Sequence, residues 1–202
     1  MPPPFPEPGR GFLFVRHGES ADNAADRHSG GDADPPLSPR GRAQAGATAR
    51  LLKDRLGADT GRILILAAPL RRTRDTARII ARDLRIRPDD IVAAPGFLER
   101  RLGEWNGRTP DEIPRELVAS EATPPGGEDR ASFRLRVMEA AREAAALAGP
   151  HCLPLIVTSR GVGRVLGWPD MPNAGLFWWP AAFAATLPGG EARWPSPGHP
   201  GS

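Results

Sequence analysis

The chain of 202 residues holds one cysteine, Cys152, and one lysine, Lys53. A single cysteine excludes an internal disulfide and any multi-cysteine metal centre, and a chain of this length buries a sufficient core without either. Cys152 itself reads as a small buried hydrophobe. No apolar run approaches the ~20 residues that cross a bilayer. The first eleven residues hold five prolines and no apolar segment, so they read as neither a secretory signal nor an anchor. These absences point to a soluble protein of the reducing cytoplasm with no membrane partner.

The scarcity of lysine matters because the chain is still basic, with a formal net charge of +3. Its positive charge is almost wholly arginine, whose planar fork suits fixed contacts with oxyanions. Acidic residues are interspersed and no basic stripe alternates with aromatics, which argues against a nucleic-acid partner. A Walker-type glycine-lysine loop is missing, and histidines do not fall near carboxylates at metal-ligand spacing. Neither a metal nor another cofactor is expected.

What is present alternates. Strand-like apolar runs occur at Phe12–Val15, Ile63–Ala67, Ile91–Ala94 and Leu153–Thr158. Ser38 and Pro39 read as the N-cap and first residue of a helix running to Leu56, with Gly57 as its stop. A second helix is expected over Leu70–Leu84. A third is expected over Asp129–Leu147, where Phe133, Val137, Ala140, Ala141 and Ala144 make a helical stripe. This order predicts an α/β fold of three layers, with a mostly parallel central sheet and helices on both faces. Residues 1–11 form a proline-rich leader, 12–187 one domain and 188–202 a flexible tail. The irregular stretch from Pro95 to Gly127 reads as a cap over a site. Trp105, Trp168, Trp178 and Trp179 are expected mostly in the core.

The first strand delivers Arg16 and His17 into a turn at Gly18. The carboxyl-terminal end of a strand is where an open α/β sheet places ligand chemistry. Gly161, Gly163 and Gly167 follow the last predicted strand but miss the dinucleotide-binding spacing, and read as a tight turn with close helix-sheet packing.

Arg16, His17, Gly18, Glu19, Ser20 and Asn23 resemble the signature of the histidine phosphatase superfamily, in its phosphoglycerate mutase-like branch. So do Gly31, Asp34, Leu37, Ser38, Gly41, Gln44 and Ala45, then Pro69, Leu70, Arg72, Thr76 and Ala77, then Leu98, Glu99, Gly103, Trp105 and Gly107, in the family's order. The resemblance implies a phosphoglycerate mutase-like fold, with His17 as the nucleophile that becomes phosphohistidine and Glu99 as the proton donor. It implies Arg16, Asn23 and Arg72 at the phosphate, and Gly30 and Gly31 at the substrate.

In the family a second histidine follows the last core strand, and this chain has Arg160 there, between Ser159 and Gly161. An arginine keeps a donor and a cation but adds length and cannot release a proton at neutral pH. The leading expectation is therefore a metal-independent phosphomonoester hydrolase whose activity is reduced or altered by Arg160 at the phosphate. The alternative is a non-catalytic domain that binds phosphate or a phospholigand; a mutase is less favoured. His28 is expected in an exposed loop, and His151 at the end of the last strand away from the chemistry. The partner is a small phosphorylated substrate or inorganic phosphate. Oligomeric state is open, with a homodimer among the options.

Overall fold

A computed structural model describes residues 11–168 and 170–180. The tail expected at 188–202 and all but the last residue of the expected leader lie outside the described residues. Gly11, assigned to that leader, instead opens β1 (Gly11–Arg16). The chain continues through α1 (Ala21–Ala24), α2 (Pro39–Leu56), β2 (Ile63–Ala67), α3 (Arg71–Asp83), β3 (Val92–Ala93), α4 (Arg115–Ala119), α5 (Arg130–Leu147), β4 (Leu153–Thr158), α6 (Arg160–Val165) and β5 (Leu176–Pro180).

The strands form one sheet in the order β3-β2-β4-β1-β5. The first four are mutually parallel and β5 runs antiparallel to β1. Alternation along each strand sorts the core into two layers. Leu13, Val15, Ile65, Leu155 and Val157 pack against Ala49 and Leu52 of α2 and against Ala77 and Ile80 of α3. Phe12, Phe14, Leu66 and Ile156 face the other way, onto Phe133, Val137 and Ala141 of α5. The layered α/β fold follows from this period-two alternation meeting helical stripes on both faces.

The helix ends obey local rules. Ser38 Oγ accepts from the Gly41 amide, Pro39 takes the first helical position, and Gly57 closes α2 at φ +54°. α3 is one residue shorter at each end than expected, with Leu70 as its N-cap. Of the strand expected over Ile91–Ala94 only Val92 and Ala93 pair, at the sheet edge beyond β2. β5 was not expected, because its Leu-Phe-Trp-Trp run shows no alternation and gains its strand identity only by pairing with β1. Trp105, Trp168 and Trp179 are buried and Trp178 packs on the α2/α3 face of the sheet. Cys152 is half-buried rather than buried, and burial raises its thiol pKa. No helix among the described residues is long and apolar enough to cross a membrane.

Candidate active site

β1 and β4 lie side by side and in register, with Arg16 opposite Thr158. The residues that follow, His17 and Ser159, therefore leave the sheet at the same carboxyl-terminal edge. A cleft of about 360 Å³ opens there, and Arg16, His17, Asn23, Glu99, Ser159 and Arg160 all line it. The loop after β1 is pressed onto α2, since a Cβ on Gly18 would meet the Gly41 carbonyl oxygen at 2.2 Å. Only glycine permits that approach.

His17 is 4% exposed. Its amide donates to the Thr158 carbonyl at 2.8 Å and its own carbonyl accepts from Ala174 at 3.1 Å. Nδ1 lies 2.6 Å from the Gly18 carbonyl oxygen. A carbonyl can only accept, so Nδ1 carries the ring proton and Nε2 keeps its lone pair. Burial holds the imidazole pKa well below its ordinary value, and the charges of Arg72 and Arg16 push the same way, against a weaker opposing effect of the Gly18 bond. His17 is thus a neutral imidazole with a free Nε2.

Asn23 closes a capping box with Ser20, its Oδ1 accepting from the Ser20 amide at 3.2 Å. The same oxygen accepts from Asn173 Nδ2 at 3.2 Å. With its acceptor end engaged twice, Asn23 has its amide NH₂ left to donate. Glu99 is held by backbone: Oε1 accepts from the Arg100 amide and Oε2 from the Gly161 amide, both at 2.8 Å. Arg100, beside it, does not pair with Glu99. Its guanidinium donates to the carbonyls of Glu128, Val118 and Ala122, which ties down the irregular segment over the cleft.

Arg16 donates Nη1 to the Met171 carbonyl, and its pKa is pushed down to about 10 by burial and then by Arg160. Arg160 is the first residue of α6, with Nη2 3.7 Å from Asp170 Oδ1 and its side chain 41% exposed. Buried polar atoms are ordinarily hydrogen-bonded. Yet Arg16 Nε, Arg160 Nε, Ser29 Oγ and Ser159 Oγ are buried without a protein partner, and all four residues line the cleft. Such a set of unused donors between cations suits an oxyanion.

Three expected site residues are not among those that line the cleft. Arg72 is buried, its guanidinium donating to the carbonyls of Ala33 at 2.8 Å and Gly30 at 3.0 Å. Its charge acts on His17 more strongly than that of Arg16. Gly30 and Gly31 do not line the cleft either. Cβ atoms there would lie 2.6 Å from the Arg100 carbonyl oxygen and 2.2 Å from that of Glu99, so both are glycine because two backbones touch. His28, expected exposed, is half-buried at the cleft, its Nε2 2.6 Å from the Ile113 carbonyl oxygen. Asn173, Ser29 and Ser159 also line the cleft, and no motif marks them as site residues. Asn173 lies far from every motif and carries no local signal, whereas Ser159 sits inside the Ser-Arg-Gly turn. Among the described residues, no group of three or more histidine, cysteine or carboxylate side chains converges as a metal site would require.

Known proteins resemble this chain. Over 131 residues the chain is 31% identical to fructose-2,6-bisphosphatase TIGAR B of Danio rerio, a stretch covering 62% of this chain and 49% of that one. The chain thus spans about half the length of the curated relatives it matches. The structure of a mycobacterial glucosyl-3-phosphoglycerate phosphatase complexed with VO3 is similar at a TM-score of 0.66 and 26% identity, over 83% of this chain and 89% of that one. That of mycobacterial hydrolase 1 is similar at 0.67 and 26%, over 83% and 87%. Residues 12–179 match the model of the histidine phosphatase superfamily (branch 1), and the chain belongs to that family.

Proposed function

We propose that the protein is a metal-independent phosphomonoester hydrolase working through a phosphohistidine on His17. The observation that carries this reading is the His17 ring. It is buried and neutral, with its proton committed to Gly18 and Nε2 free, in a cleft with Arg16 and Arg160 on its walls. Nε2 attacks phosphorus, and the bond from phosphorus to the ester oxygen breaks as the Glu99 carboxyl group gives that oxygen its proton. Water then attacks phosphorus and gives its proton to the Glu99 carboxylate. The N–P bond breaks, inorganic phosphate leaves, and His17 returns to its neutral form. Arg16, Arg160 and the Asn23 amide donate to the phosphoryl oxygens. Arg72 contributes charge, which disfavours protonation of His17, and holds the Gly30–Ala33 loop.

Arg160 stands where the family places its second histidine, which motivates a second reading as a domain that binds phosphate without turnover. Its Nη2 sits 3.7 Å from exposed Asp170, and His17 still lines an open cleft beside it, which favours hydrolysis. The names of the relatives make sugar phosphates and phosphorylated carboxylates the first substrates to try. The test is turnover of an aryl phosphate and of that panel, with a His17→Ala control and acid-labile phosphate trapped on the protein. His17-dependent turnover with trapped phosphohistidine is expected. No turnover above the control would overturn the reading, and phosphate binding without a trapped intermediate would select the second one.

A further inference from the structure

Ser159 occupies the N-cap of α6, yet it does not cap the helix. A serine in that position ordinarily accepts from the amide of the second or third helical residue. Ser20 does so from Asn23 at α1, and Ser38 from Gly41 at α2. At α6 the amide of the second residue, Gly161, is taken by Glu99 Oε2. The carboxylate has replaced the serine as the cap, so the hydroxyl is released from the work its position would give it.

It is not released to solvent. Ser159 is 2% exposed, its Oγ has no partner, and it lines the same cleft as His17 and Arg16. The adjacent Thr158 is equally buried but donates its hydroxyl to the Phe97 carbonyl at 2.6 Å. A buried hydroxyl without a partner destabilises a fold, so a serine kept here has its use in the cleft rather than in the core. His17 and Ser159 each follow the last residue of two paired parallel strands, whose axes lie about 4.8 Å apart. A phosphoryl group held at His17 carries oxygens across a gap of that size.

We propose that Ser159 is a phosphate ligand, its Oγ–H donating to a non-bridging phosphoryl oxygen. The inference rests on the reading of the cleft as a phosphate site. It adds a neutral, rotatable donor to the cations, and it makes Glu99 responsible for two things: the proton supplied to the ester oxygen and the freedom of the Ser159 hydroxyl.

The test is calorimetric titration of inorganic phosphate into the wild-type protein, Ser159→Ala and His17→Ala, with phosphate-free melting curves and aryl phosphate kinetics on each. Ser159→Ala is expected to raise the phosphate Kd about tenfold or more, as loss of a hydrogen bond to a charged group does. It should lower kcat/KM by at least as much. Its Tm should be equal to or above that of the wild type, because an unpartnered hydroxyl has gone. Phosphate affinity and kcat/KM within about twofold of wild type, or a Tm several degrees lower, would overturn the proposal. So would a wild-type protein that fails to bind phosphate. Should the wild type bind phosphate but show no His17-dependent turnover, hydrolysis fails as the function while Ser159 is still judged by its Kd.

Discussion

A Cβ on Gly161 would sit 2.0 Å from Oε1 of Glu99, the carboxylate whose other oxygen accepts the Gly161 amide at 2.8 Å. The proposed acid lies on an irregular segment between β3 and α4, a poor place for a group that must be aimed. The start of α6 supplies the aim. Gly161 contributes both the amide that orients the carboxylate and the empty space that receives it.

Gly161→Ala is therefore expected to separate activity from stability. The position is helical with no positive φ, so alanine suits the backbone and gains up to about 1 kcal/mol in helix propensity. The methyl group instead displaces Glu99. The kcat/KM for alkyl phosphates, whose leaving oxygen needs a proton, should fall about 100-fold. The kcat/KM for 4-nitrophenyl phosphate, whose 4-nitrophenolate leaves without one, should fall much less, since this ratio ends at the phosphohistidine and leaves out the water step that Glu99 serves for both. Equal losses of kcat/KM on the two substrates would argue against Glu99 as the acid.

The depressed pKa of His17 sets a pH dependence with a definite sign. In the unfolded chain His17 takes up a proton near its ordinary pKa of about 6.5, whereas in the fold it stays neutral to a lower pH. Between those two values the unfolded state binds more protons, so stability falls as pH drops through this window. Replacing His17 by alanine should flatten that part of a pH series of urea denaturation midpoints. For the same reason the acid limb of kcat/KM assigned to His17 should lie below pH about 6.5. Arg72→Met, which removes a repelling cation, should move that limb upward.

Arg136 holds the chain just ahead of Glu99. Its guanidinium donates to both carboxylate oxygens of buried Glu128 and, through Nη1, to the carbonyls of Gly96 and Leu98. Removing one member of such a pair strands the other, at a cost of about 3 kcal/mol. Arg136→Met should lose about that much stability in urea denaturation. It should also lower kcat for alkyl phosphates, because the segment carrying Glu99 loses its anchor.

Arg160→His installs the residue that the resemblance implies at this position. With Arg160 serving as a phosphate donor, the exchange should change aryl phosphate turnover by less than about tenfold. A rise of several orders of magnitude would mean that the natural chain is not a competent hydrolase.

Much of this molecule is legible in local sequence. α2 runs from Pro39 to Leu56 because serine, proline and glycine impose its ends by side-chain and backbone chemistry alone. β2 and β4 match their apolar runs because both are buried on two faces. β5 is a different case: Leu176–Pro180 is a strand because β1 offers an unpaired edge. At the site, Arg16, His17, Asn23 and Glu99 are readable through ordered motifs. The hold of Arg72 on two loop carbonyls is not, since Gly30 and Ala33 carry no sign of it in the sequence.

The sequence by itself determined the layered α/β fold and the family. These depend on periodicity, capping and residue chemistry, which act over a few positions at a time. Tertiary structure alone decided which donors remain unused and which are consumed. A hydrogen-bonding group has a fixed valence, and whether Gly18, Gly161 or Ala33 claims it depends on residues brought together from distant parts of the chain. So the tautomer of His17, the aim of Glu99 and the release of the Ser159 hydroxyl are properties of the packed molecule.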